Sequence, residues 1–78
     1  MASEMNPQTV WDQLRRAYAQ RQWESVRTQG QKLLFWLDHG GEPPKTSSDI
    51  PLDDLWHWSL SRSACTFAIA QAREQIGD

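Results

Sequence analysis

One cysteine, Cys65, occurs among 78 residues, so no intrachain disulfide can staple this short chain. No apolar run approaches the roughly 18 residues of a membrane span, and no charged start leads into an apolar block. Cysteine pairs at metal-ligand spacing, an HExxH helix and a phosphate-binding glycine loop are all missing. Neither sign of charge dominates: 8 Lys and Arg face 10 Asp and Glu, a formal net charge of -2, which is not the balance of a protein that coats nucleic acid. Together these absences point to a soluble cytoplasmic chain without a cofactor, a metal or a membrane partner, and with no activated nucleophile to suggest an enzyme.

Aliphatic residues are scarce as well. Leu, Ile, Val and Phe total 14 of 78, a level that signals disorder when net charge is high. Here net charge is low and there are five tryptophans: Trp11, Trp23, Trp36, Trp56 and Trp58. Each can remove roughly 150–250 Å² from water when buried, so tryptophan must supply much of the core. Residues 1–78 therefore read as one small domain, with 1–5 as a tail.

The order of capping residues and apolar stripes predicts three helices. Asn6 before Pro7 is an N-cap followed by the favoured first helical residue, with Thr9 and Asp12 a competing start. Val10, Trp11, Leu14, Ala17 and Tyr18 share one face of a helix over about 7–20. A second helix over about 22–39 carries a stripe of Trp23, Val26, Gly30, Leu33, Leu34 and Leu37, with Gly30 placed for close approach by a neighbour. Gly40 and Gly41 supply a left-handed stop, and Pro43 and Pro44 prevent the helix from resuming. Gly40–Pro51 reads as a surface loop, long for a helix connection.

A third, longer helix is expected over about 52–76, with Asp53 and Asp54 complementing the dipole at its start. It has two heptad-like seams on nearly opposite sides. Trp56, Leu60, Ser63, Phe67 and Ala70 form one; Trp58, Arg62, Cys65, Ile69, Ala72 and Ile76 form the other. The fold expectation is an all-α three-helix bundle: a helical hairpin packed by the third helix, with Trp11, Leu14, Tyr18, Val26, Leu33, Leu37, Trp56, Leu60 and Phe67 as core. The second seam, Trp58 to Ile76, is then left as the interaction surface, with Cys65 either a small buried hydrophobe or a thiol near a dimer axis.

Chemistry-bearing residues are dispersed. His39 falls in the last turn of the second helix, and His57 follows Asp53 by four residues, a surface pair on one helix face. The segment Asp54–Trp58 with Trp36 offers an aromatic lining for a ligand, the other reading being core. Charge is segregated: residues 12–32 sum to +3, with Arg15, Arg16, Arg21 and Arg27 as a basic patch, and residues 33–61 sum to -4. Such a split can steer a partner, though a solvated surface with scattered ion pairs gives the same pattern.

Trp11, Leu14 and Tyr18 fit the W-x2-L-G-x2-Y spacing that opens a tetratricopeptide repeat, with Arg15 in the glycine position. Residues 10–38 thus resemble a single repeat unit. They depart from the pattern in the second helix, where Val26 stands for a small alanine and Gly30 for an aromatic. The resemblance implies an antiparallel hairpin used for protein contacts and brings no catalytic residues. The functional expectation is a non-catalytic protein-interaction module that self-associates or binds another protein through the third helix. The alternative is a small-ligand or nucleic-acid binder using the tryptophans and the hairpin arginines; nucleic acid is the less expected partner, since no basic overall balance supports it.

Overall fold

A computed structural model describes residues 5–77. They form three helices: α1 (Pro7–Ala19), α2 (Trp23–Asp38) and α3 (Asp54–Ile76). The architecture is the expected all-α three-helix bundle, with bounds within two residues of those read from the sequence. Residues 1–4 of the expected tail lie outside the described residues. Met5 does not belong to a tail, because it packs against the core.

The helix ends follow from local chemistry. The Asn6 carboxamide oxygen accepts from the backbone N–H groups of Gln8 and Thr9 at 3.0 and 3.2 Å, which settles the start of α1 in favour of Asn6. The Asp53 carboxylate caps α3 by accepting from the Trp56 N–H at 2.9 Å. Between α1 and α2 the chain reverses in three residues. The Gln22 N–H donates to the Ala17 carbonyl, and Arg21 takes φ 58°, the left-handed position that glycine usually fills. At the end of α2 Gly40 takes φ 84° and the Gly41 N–H donates back to Trp36, the same device with glycine in place. Gly41 has a different task from the one expected. A Cβ there would fall inside the Trp36 indole, so it is the close approach of that ring that requires glycine.

α2 is the central element and contacts both neighbours most extensively. Its stripe of Val26, Gly30, Leu33 and Leu37 is buried throughout. Val10, Trp11, Leu14 and Ala17 of α1 complete one side of the core. α3 runs antiparallel to α2: Arg62 pairs with Asp38 at 2.8 Å near one end, and Ile69 lies over Gly30 near the other. Principal extents of 37 × 34 × 19 Å describe a slab only about two helix diameters thick.

The orientation of α3 reverses one expectation. Its buried residues are His57, Ser61, Cys65, Ala68, Ile69 and Ala72. Trp56, Leu60 and Phe67, expected in the core, are 50%, 43% and 59% exposed. The seam expected to face outward lies inside. Cys65 and Ala72 are fully buried, Ile69 nearly so, and Trp58, Arg62 and Ile76 are half-buried along its edges. The physical reason is close packing. Gly30 makes room for Ile69, and along the rest of the close contact Ser61, Cys65, Ala68 and Ala72 fit where Trp56 and Phe67 would not.

The segment between α2 and α3 is a strap fastened to all three helices. The Trp36 indole N–H donates to the Glu42 carbonyl at 2.8 Å. The Gln8 side chain both donates to the Lys45 carbonyl and accepts from the Lys45 N–H, at 3.2 and 2.8 Å. The Thr46 N–H donates to Nδ1 of His57 at 3.0 Å. Pro44 is buried between these points. The segment is the expected loop, with Gly40, Glu42, Lys45 and Ser48 to Pro51 exposed, and it departs from a free surface loop in its fastenings and in the buried Pro44.

Candidate functional site

Trp56, Leu60, Ser63, Phe67 and Ala70 all lie exposed along the outer side of α3. Their 4-3-4-3 spacing keeps them in one line on a helix. Of six large exposed hydrophobic side chains among the described residues, three are in this line and a fourth, Leu55 at 70% exposure, stands beside it in the first turn. Trp56, Ser59, Leu60 and Ser63 enclose a shallow hollow of about 200 Å³. One turn further on, the Phe67 ring leans on Tyr18 at 5.9 Å, and Tyr18 meets Trp23 edge-on at 5.4 Å. Phe67 is thus braced from α1 while more than half of it remains in water.

The residues named from the sequence are placed as follows. Trp58, Arg62, Cys65 and Ile69 face α2, Ala72 is buried in the core, and Ile76 is half-buried at the end of α3. The Trp58 indole N–H donates to the Leu37 carbonyl at 3.3 Å, and the Arg62 guanidinium lies 5.7 Å from the Trp58 ring centre while bonded to Asp38. That carboxylate holds the Arg62 pKa above its ordinary value. As an interaction surface this set is corrected: it is used up inside the fold. The Cys65 thiol is pushed up to about 11, first by burial and then by the charge of Asp38, the reverse of an activated thiol.

Of the basic patch, Arg15 is bonded to Asp12 and Arg27 to Glu24, both at 3.3 Å, so each has a carboxylate beside it; Arg16 and Arg21 are exposed. The five tryptophans do not gather into one lining. Trp11 is buried, Trp23 meets Tyr18 edge-on, Trp36 holds the strap, Trp58 bonds the Leu37 carbonyl of α2, and Trp56 is the one tryptophan on the outer seam. A second open hollow, about 820 Å³, lies on the far side of α2 beside Met5, Phe35, Trp36 and His39. There Phe35 stacks on His39 with centroids 3.9 Å apart, and Nδ1–H of His39 donates to the Phe35 carbonyl at 2.8 Å.

His57 departs from its expected surface pairing with Asp53. It is 2% exposed, and Nδ1 is the acceptor for Thr46, which leaves the ring proton on Nε2. Among the described residues no group of three or more His, Cys, Asp or Glu is arranged to hold a metal ion, and no helix is long and apolar enough to cross a membrane. No protein-family model matches this chain, and no curated protein or solved structure matches it either.

Sequence reasoning missed the outer seam as a surface because it ranked side chains by area. Ser59, with Ser61 and Ser63, reads by residue type only as a helix-packing or surface residue. The available signal was its place in the set 56, 59, 60 and 63, which is the i, i+3, i+4, i+7 pattern of four residues surrounding a gap on a helix surface.

Proposed function

We propose that this chain is a non-catalytic protein-interaction module whose contact surface is the outer seam of α3. The observation that supports this reading is the exposure of Trp56, Leu60 and Phe67 in one line, in a chain with so few large apolar residues. Contiguous apolar surface of this kind marks a contact site in small soluble domains, and tryptophan and other aromatics are the side chains that most often anchor one. The braced position of Phe67 adds to it, because a side chain already held in place loses little entropy on binding. The likeness of the hairpin to a tetratricopeptide unit agrees with a role in protein contacts.

The test is a double variant, Leu60→Asp with Phe67→Asp, checked for unchanged helical circular dichroism. Association with other protein chains, measured by light scattering and by affinity capture against the wild type, is expected to be lost. Undiminished association by a folded double variant would refute this assignment of the surface.

A further inference from the structure

The hollow on α3 has the composition of a coiled-coil hole. Its walls, Trp56, Ser59, Leu60 and Ser63, stand at i, i+3, i+4 and i+7, the four positions that receive one knob from a facing helix. The same helix carries an exposed knob, Phe67, four residues beyond Ser63, while the centre of the hole lies between three and four residues before it. A two-fold axis through Ser63 therefore brings the Phe67 of each copy onto the hole of the other. We propose that two copies of this chain pair antiparallel along the outer seams of α3, each Phe67 seated among Trp56, Ser59, Leu60 and Ser63 of its partner. This rests on the reading of that seam as the interaction surface and specifies its occupant.

Size and charge both favour a second copy in this register. Trp56 faces the small Ala70, Leu60 faces Phe67 as an apolar pair, and the small Ser63 meets Ser63 at the axis, where the two helices come closest. A parallel pair in register would set Trp56 beside Trp56 and seat Leu60, not Phe67, in each hole. The antiparallel pair also opposes the two helix dipoles and brings the acidic first turn, Asp53 and Asp54, to the last turn of the partner, where Arg73 is the cation in reach and Glu74 follows it one residue, about 100°, further round the helix. A closed, self-complementary contact of this kind ends at the dimer. The exposed parts of Leu55, Trp56, Leu60 and Phe67 offer roughly 450 Å² per copy, so the pair buries on the order of 1,000 Å², the size of a weak, reversible association.

Sedimentation equilibrium of the full chain from low micromolar to millimolar concentration tests it. The mass is expected to rise with concentration from 9.0 kDa towards twice that value. Phe67→Ser keeps the helical spectrum and stays at the monomer mass. Ser63→Cys cross-links on mild oxidation. Ala70→Cys does not, because residue 70 lies about 20 Å from its copy in the antiparallel pair; the buried Cys65 gives the background. A monomer at every concentration, a dimer that survives Phe67→Ser, or cross-linking of Ala70→Cys as readily as Ser63→Cys overturns the pairing. If the wild type stays monomeric while the Asp double variant still loses a different protein partner, self-pairing falls and the surface stands. If that double variant alters no association at all, the surface itself falls.

Discussion

Gly30 and Ile69 fix the separation of α2 and α3: a Cβ on Gly30 would stand 2.8 Å from Cγ1 of Ile69, inside van der Waals contact. Glycine costs roughly 1 kcal/mol against alanine in a helix, so Gly30→Ala gains that amount from backbone propensity. It loses more by pushing Ile69, because an overpacked core costs about 1–3 kcal/mol. The expected net result is a modest loss of stability in urea unfolding. The loss should disappear when Gly30→Ala is introduced into an Ile69→Ala background, where the clashing atom is gone and the propensity gain remains. An equal loss in both backgrounds would show that the two residues are not coupled.

The two sides of α3 should respond oppositely to charge. Ile69→Asp places a carboxylate in the α2–α3 contact and is expected to cost more than 3 kcal/mol or to prevent folding. Leu60→Asp places it on the exposed seam, where the cost to the monomer should stay within about 0.5 kcal/mol. Thermal unfolding of the two variants at low concentration reads this difference directly.

Burial of Cys65 makes stability fall at high pH. The thiol rises from 9.0 to about 11 on folding, so the folded state favours the protonated form. That contribution is complete below pH 9 and is lost as pH climbs from 9 to 11, by on the order of 2–3 kcal/mol. Unfolding free energies of the wild type and Cys65→Ala, compared across this range, should converge as pH rises. At neutral pH a thiol reagent should label the folded protein only at the rate at which it opens.

His57→Leu removes the acceptor for the Thr46 N–H while keeping an apolar side chain of similar bulk. Leaving that amide without its partner is expected to cost about 1–3 kcal/mol. Hydrogen exchange at Thr46 should accelerate before exchange at the middle of α2 does. Equal acceleration at both would mean that the bond contributes nothing local.

The fold class, the helix bounds and the closeness at Gly30 were all legible in the sequence, because caps, glycines and apolar periodicity act locally. Which seam of α3 faces inward was not. Area favours Trp56, Leu60 and Phe67 for the core, whereas the close approach to α2 at Gly30 favours the side that carries Ser61, Cys65, Ala68 and Ala72. Those two criteria agree in most cores and conflict here, and the conflict is what exposes the candidate surface. The role of His57 was hidden for another reason: its partner, Thr46, lies in a segment whose composition gives no periodic signal. The turn at Arg21 was placed correctly although nothing in the residue type announces a positive φ.

The strap between α2 and α3 takes one fastening from each helix, at Gln8, Trp36 and His57. The Trp36 bond is local to the end of α2, whereas the Gln8 and His57 bonds form only where α1 and α3 are docked. α1 and α3 share little direct contact compared with what each makes to α2. The strap therefore ties the two outer helices to one segment, so that undocking either of them also breaks a bond that holds the other's fastening in place.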